Sequence, residues 1–386
     1  MPIIQFYRVK MILKDLALCL DKIFNRHVAL IWDKTGLQIG NLEKDIKKIL
    51  VTLDITSDVA DEAVSTNSGL ILTHHPLIFN SLDTILSSRT GEKEILELVE
   101  NGIAVYSAHT NYDLMTGGLN DFVAGSLGFT NIEIIEERYE QWYKFVVFVP
   151  GEAAEEIRKI ICQHGGGKWQ NYSCCTFNVE GKGTFIPHKG SKPYTGKVGY
   201  MNYVDEVRIE CIVNERDLDS LVDAVVKAHP YEEAAYDVYR IENKFKGIGL
   251  GRWGELKKPQ SFKSFAEKVK QELGIEVFSW MCKKDIKVDD KKIGKVALVC
   301  GSANSLTQRL IGIDCDLVIV GEIGYHNGLR IIESGKILIA TGHGSSEALA
   351  ITGMSDKLED FLKKEKIEID ILKSKLGYKS WRYQID

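Results

Sequence analysis

Along the first third of the chain, apolar residues come in short unbroken runs. KILVTLDI (48–55) and LILT (70–73) carry no polar alternation, and IAVYSA (103–108) has the same character. A strand that is apolar on both faces belongs inside a sheet that is covered on both sides. Between these runs the pattern changes to helical spacing. SDVADEAVSTNSG (57–69) opens on Ser57 and Asp58 and stops at a glycine, GEKEILELVENG (91–102) follows, and GLNDFVAGSLGF (118–129) closes the series. Strands alternating with helices predict a parallel α/β sheet. The last third repeats the style. KVALVC (295–300), LVIVGE (317–322) and KILIAT (336–341) read as buried strands, with helical stretches at about 303–313 and 325–334. A long amphipathic helix over 345–365 leads to a final strand, IEIDIL (367–372).

The middle follows another rhythm. FVVFVP (145–150), a helix over 151–165, strands CCTFNVE (174–180) and EVRIECIV (206–213), a helix over 215–230 and the strand AAYDVYRI (234–241) give the order βαββαβ. That is the ferredoxin-like pattern. Its second and third strands are separated by a polar, Gly-rich excursion over 181–200. The chain therefore divides into an α/β domain in two pieces, 1–140 and 244–386, interrupted by a small α+β domain over 141–243.

Composition adds limits. The 386 residues are 44% hydrophobic and 27% charged, ordinary for a globular protein. A net charge of −5 gives no general affinity for nucleic acid or an anionic membrane. No apolar run is long enough to span a bilayer. Eight scattered cysteines with no CxxC spacing argue against a zinc ribbon or a disulfide framework and fit reduced thiols. Arg8, Lys10, Lys14 and Asp15 interrupt what would otherwise look like a leader peptide near the start. The expected location is the cytoplasm.

Three strand ends carry residues that a buried strand has no use for. The first is His74-His75, the second is SAHTNYD (107–113) with His109 and Asp113, and the third is TGHGSSE (341–347) with His343 and Glu347. Adjacent residues of an extended strand point to opposite faces. Because the apolar run ends at Thr73 and Pro76 biases His75 toward extended backbone, both histidines fall in a turn and can aim at one rim. Taken singly, each residue has an ordinary alternative: a satisfied polar group, a turn cap for Asp113, or a favourable helix N-terminal charge for Glu347. If the strands lie in one sheet, all three clusters share its carboxyl rim, where α/β sites form. Three imidazoles (His74, His75, His343) and two carboxylates (Asp113, Glu347) can then hold two divalent cations, which activate a shared water for hydrolysis. Such ligands suit Zn, Fe, Mn or Co without choosing among them.

WDKTGLQIG (32–40), THHPLIF (73–79), SAHTNYD (107–113), GEIGYH (321–326) and TGHGSSE (341–347), in that order, resemble the motifs of the NIF-three-like dimetal family, whose bacterial members are labelled GTP cyclohydrolase type 2 homologues. HPYEEAAYDVY (229–239) is similar to the signature of the PII/CutA-like domain inserted in its longer members. The resemblance implies a NIF-three-like α/β domain, a dinuclear centre on His74, His75, Asp113, His343 and Glu347 with Glu347 as the bridge, and a toroidal homohexamer. Two departures stand out. Lys34 and Thr35 follow the Trp-Asp pair where the family usually has Asn, and GSAN (301–304) replaces its usual GGSG.

The function implied is a metal-dependent hydrolase of the GTP cyclohydrolase type 2 kind, acting on a nucleotide. His109 and His326 are the candidate proton carriers. Two other classes suit the same residues: a non-catalytic regulatory hexamer whose insert senses a small molecule, and a dinuclear phosphoesterase.

Overall fold

The computed structural model describes residues 11–376 apart from 170, 244–246 and 289–290. The chain forms two compact units, one of residues 1–138 with 247–386 and one of residues 139–246. In the first segment the strands are β1 (Gly36–Ile39), β2 (Lys48–Thr52), β3 (Leu70–Thr73), β4 (Ala104–Ser107) and β5 (Phe129–Arg138). The interior unit contributes β6 (Trp142–Pro150), β7 (Thr176–Phe185), β8 (Asn202–Asn214) and β9 (Ala235–Ile241). The last segment supplies β10 (Ile248–Ser261), β11 (Ser279–Met281), β12 (Lys292–Ser302), β13 (Leu317–Glu322), β14 (Ile337–Ala340) and β15 (Asp370–Lys373).

The larger unit holds two sheets, where the sequence suggested one. Their orders are β1-β4-β3-β2-β15 and β11-β14-β13-β12-β10-β5. Each has a parallel centre: β15, β2, β3 and β4 in the first, and β12, β13 and β14 in the second. The two halves of the chain exchange edges. β15 lies beside β2 with Ile371 opposite Ile49, and β5 lies beside β10 with Phe129 opposite Leu256. Each sheet is thus completed by a strand from the other half. The antiparallel strands β1, β5, β10 and β11 escaped the sequence reading because edge and near-edge strands lack the continuous apolar runs of the centre.

Alternation along the strands decides what faces what. Leu50, Ile71 and Val105 pack beneath the helices Ser57–Ser65 and Glu92–Glu100. Their neighbours Ile49, Val51, Leu70, Leu72 and Tyr106 join Val296, Leu298, Leu317, Ile319 and Ile339 of the second sheet in one core. Leu13, Leu16 and Leu20 enter that core from a helix, Leu13–Ile23, with the spacing of one helical face. Part of the stretch weighed as a leader peptide is therefore core helix; its other part, residues 1–10, lies outside the described residues. The expected single helix over 345–365 is two, His343–Glu347 and Ala350–Glu365. Among the described residues no helix is long and apolar enough to cross a membrane.

The smaller unit is ferredoxin-like. Its sheet order is β7-β8-β6-β9, every neighbouring pair antiparallel. Phe145, Val147, Ile209, Cys211 and Val213 meet Ile157 and Ile161 of the helix Ala154–Gln163 and Leu221 and Val225 of Glu215–Ala228. Residues 181–185 of the expected excursion are ladder, since β7 continues to Phe185 opposite Asn202. The expectation of reduced thiols throughout is corrected at one place. Cys162 and Cys174, with Cα atoms 4.9 Å apart, form a disulfide. Gly167 turns the chain back by donating to Ile212 and accepting from Cys175, which closes a gap of 12 residues that no spacing motif announces.

Candidate metal centre

His74 and His75 follow β3 without leaving its neighbour. The His74 N–H donates to Thr52 (3.1 Å) and the His75 N–H to Leu53 (2.9 Å), so the backbone is held for two residues past the strand. Ser107 Oγ donates to the His74 carbonyl at 3.0 Å. The two rings nevertheless gather on one side, with centroids 5.0 Å apart. His109 comes from the end of β4 and His343 from the end of β14. Their rings lie 5.5 and 5.4 Å from that of His75. The clusters converge, although His343 arrives from the second sheet and not from a rim shared with the others.

Each of the four imidazoles has an oxygen against Nδ1, hydrogen-bonded in His74, His75 and His109 and an ion-pair contact in His343. Nδ1 of His74 meets the Ala108 carbonyl at 2.8 Å, which accepts only, so Nδ1 carries the proton and Nε2 keeps its lone pair. Nδ1 of His75 meets Asp54 Oδ1 (2.7 Å), that of His109 meets Asp33 Oδ1 (2.8 Å), and that of His343 lies 3.2 Å from Glu322 Oε1. Oxygen acceptors on Nδ1 leave Nε2 as the ligand atom, the arrangement that orients metal-binding histidines.

Glu347 occupies the middle, only 3% exposed. Its Oε2 lies 3.0 Å from His75 Nε2 and 3.3 Å from His343 Nε2, while Oε1 lies 3.9 Å from His74 Nε2. Asp113, on the helix Thr110–Leu114, brings Oδ1 within 3.7 Å of His74 Nε2. Four buried atoms here have no hydrogen-bond partner: Nε2 of His74, Nε2 of His75, Oδ1 of Asp113 and Oε2 of Glu347. The His75–Glu347 approach is short but misaligned for a hydrogen bond. Gly301, with φ +66°, leaves room for the carboxylate; a Cβ there would run into Glu347 Oε1.

The electrostatics follow from this crowding. Burial and the charge of Glu347 raise the Asp113 carboxyl well above its usual range. Burial opposes the ionised form of Glu347 as well, but the close imidazoles of His343 and His75 outweigh it and hold the carboxyl low. Burial drives His74 down to about 3. It acts in the same direction on His75, yet Asp54 and Glu347 prevail and lift that imidazole to about 10. The Glu347 carboxylate beside it, and after it that of Glu322, lifts His343 to about 9 despite partial burial.

Two overlapping sets of donors could each hold a metal ion: His74, His75 and His109, and His75, His343 and Glu347. Asp113 is in neither, although its Oδ1 faces His74 Nε2. His326 is in neither as well; it is exposed on the helix Tyr325–Glu333, its ring against Tyr325. The partners Asp54 and Asp33 were not singled out by the sequence reading. Asp54 could have been, because it ends the apolar run of β2 just as His74 ends that of β3. Asp33 stands in the WDKTGLQIG motif, but the motif does not reveal its partners, since its contacts with His109 and Thr110 span 76 and 77 residues.

The Duf34/NIF3 (NGG1p interacting factor 3) family model matches residues 11–377. A Halalkalibacterium halodurans protein named GTP cyclohydrolase 1 type 2 homolog is 36% identical over 343 residues, 89% of this chain and 91% of that protein. The Bacillus subtilis protein of the same name is 35% identical, over 89% of this chain and 90% of its own length. Among solved structures, a Bacillus cereus protein related to NIF3 superposes with a TM-score of 0.79 at 36% identity, covering 96% of this chain and 99% of that one. Matched along nearly its whole described length, the chain belongs to the Duf34/NIF3 family.

Proposed function

We propose that this centre binds two divalent metal ions through His74, His75, Asp113, His343 and Glu347, and that the protein is a hydrolase of the GTP cyclohydrolase type 2 kind acting on a nucleotide. One observation carries the metal reading: four buried ligand atoms converge with no hydrogen-bond partner. Each such atom costs about 1–3 kcal/mol if left unmatched. The donors are imidazole nitrogen and carboxylate oxygen, which fit Zn, Fe, Mn or Co alike. The two oxygens of Glu347 face His74 on one side and His75 with His343 on the other, which supports a bridging role. The names of the relatives support the nucleotide.

When bound, the ions would supply Lewis acidity and lower the pKa of a coordinated water. The chain's own residues would do the rest. One water opens the purine imidazole ring at a C8–N bond, and a second releases C8 as formate. The nitrogen freed in each step needs a proton, and His109 is placed to deliver it. Its ring lies 5.3 Å from that of His74, and its Nδ1 is fixed by Asp33. Burial opposes ionisation of Asp33, but His109 and Thr110 hold its carboxyl down at about 2, so it stays an acceptor and keeps the ring oriented. His326, exposed and with its ring against Tyr325, has no part in this scheme. Family membership also leads us to propose a homohexamer, for which light scattering would give six times the 43.4 kDa chain mass.

The test is elemental analysis of the metal-replete protein, then an assay against a nucleotide panel. Two ions per chain and formate release from GTP, both lost in Glu347→Gln, are expected. Orthophosphate without formate would assign a phosphoesterase. Full occupancy with no turnover would assign a regulatory metal protein, and failure to retain two ions would sink the dinuclear centre.

A further inference from the structure

Beside the histidines, two large aromatic side chains stand in water. Trp32 is 55% exposed and Phe79 is 44% exposed. Their rings meet edge to face at 6.0 Å, and the Trp32 ring lies 6.3 Å from that of His109. Scattered exposed apolar residues are ordinary, but these two adjoin each other and a centre with unpartnered buried atoms.

Neither ring is on a loose segment. Next to Trp32, the Asp33 side chain is fully buried and accepts from His109 Nδ1, from the Thr110 N–H (3.0 Å) and from the Thr110 hydroxyl. The Leu30 N–H donates to Thr110 Oγ1 at 3.0 Å, and the Asp33 N–H to Leu30 at 2.8 Å, closing the turn on which Trp32 rides. Next to Phe79, Gln38 clasps the Ile78 peptide from both ends. Its Nε2 donates to the Ile78 carbonyl (2.7 Å) and its Oε1 accepts the Ile78 N–H (3.1 Å). A fold that anchors its backbone this closely while leaving the adjoining indole and phenyl rings in solvent is pre-organised to receive an apolar face.

We propose that Trp32, backed by Phe79, is the platform on which the substrate's planar heteroaromatic ring stacks, and that it thereby positions the ring, rather than a phosphate, against the histidine cluster. This rests on the hydrolase reading above and sharpens it, because a platform touching His109 places the flat part of a nucleotide beside the proton carrier. A phosphoesterase needs no flat surface there. The phosphates have no part in the contact, so guanosine and GTP are held by the same surface.

The test reads binding separately from turnover. Tryptophan fluorescence of the full-length, metal-replete protein is titrated with guanosine, GTP and inorganic tripolyphosphate. Trp32→Phe identifies the signal of this residue among the six tryptophans. Guanosine and GTP are expected to quench the wild type, tripolyphosphate to leave it unchanged, and Trp32→Phe to lose the quench while retaining most of the affinity. Trp32→Ala is expected to weaken guanosine binding about tenfold or more, the usual loss for a base–aromatic stack. Unchanged guanosine affinity in Trp32→Ala, or a tripolyphosphate response equal to that of GTP, would overturn the proposal. So would a fall in oligomer mass in Trp32→Ala without loss of affinity, since the ring would then be a subunit contact. Stacking without formate release from any purine would retain the platform and sink the hydrolase. Formate release with KM for GTP unchanged in Trp32→Ala would do the reverse.

Discussion

His74 and His229 are both buried histidines, one in each unit, and the chain treats them oppositely. His229, 7% exposed, uses both nitrogens: Nε2 donates to the Phe148 carbonyl (2.9 Å) and Nδ1 accepts the Tyr231 N–H (3.1 Å). His74, fully buried, uses Nδ1 on Ala108 and leaves Nε2 facing Asp113 and Glu347 unbonded. Burial alone therefore does not mark a functional histidine. What separates the two is the count of unanswered nitrogens, and a buried polar atom with no partner is costly enough that its persistence calls for a ligand.

The largest expected effect follows directly. His74→Ala is expected to lower divalent-metal affinity by more than the roughly 10- to 100-fold typical of losing a mere supporting partner. The stabilisation gained by adding metal, on the order of 2.7 kcal/mol at 100 times Kd, should vanish with it. His229→Ala should do the converse. It strands a carbonyl and an amide in the smaller unit, costs about 1–3 kcal/mol of stability, and leaves the metal titration unchanged. Calorimetric titration with Zn²⁺ and urea denaturation of both variants decide the matter. If the two lose metal equally, the contrast between them fails.

The same contrast shows how far the residues could be read unaided. His74, His75 and His343 were legible because each ends an apolar run, where a buried strand has no local use for an imidazole. The ferredoxin-like order was legible because periodicity survives in short elements. The division into two sheets was not, since it depends on β15 and β5 crossing to the opposite half, and no local pattern records a long-range exchange. Nor was the role of Asp33 or Gly301. Both act through contacts that only the folded chain creates.

Gly301 gives the second prediction. It offers no ligand atom, yet its left-handed backbone and missing side chain make the space that Glu347 fills. Gly301→Ala is expected to displace that carboxylate and weaken metal binding about 10- to 100-fold, like the loss of a supporting partner. Gly274 has a similar φ of +64° but no atom within 4 Å of where a Cβ would lie, so it separates backbone strain from crowding. Gly274→Ala should cost only stability. Equal metal affinities in the two variants would show that Glu347 accommodates the extra carbon.

The last prediction concerns protons. In the metal-free protein His75 titrates near 10 and His343 near 9, so both are imidazolium at neutral pH, whereas His74, held near 3, is already neutral. A metal takes only the neutral ring, and binding must expel protons from the first two but none from His74. Apparent affinity should therefore rise with pH, about tenfold per unit for each proton expelled, and level off above the pKa values of His343 and His75. The stability of the metal-free fold runs the other way. Both raised groups stabilise it fully below the unfolded histidine pKa of about 6.5, and that contribution is lost as pH climbs through 9 and then 10. His74 has the opposite sign: its reluctance to charge costs stability as pH falls below about 6.5. Titration calorimetry in two buffers of different ionisation enthalpy counts the protons directly. Close to two released per chain from these imidazoles at pH 7.5 are expected, and the number should drop in Asp54→Asn, which removes one of the charges that lift His75. A metal affinity flat from pH 7 to 9 would mean that His75 and His343 are neutral before the metal arrives, and that all three rings of the centre resemble His74.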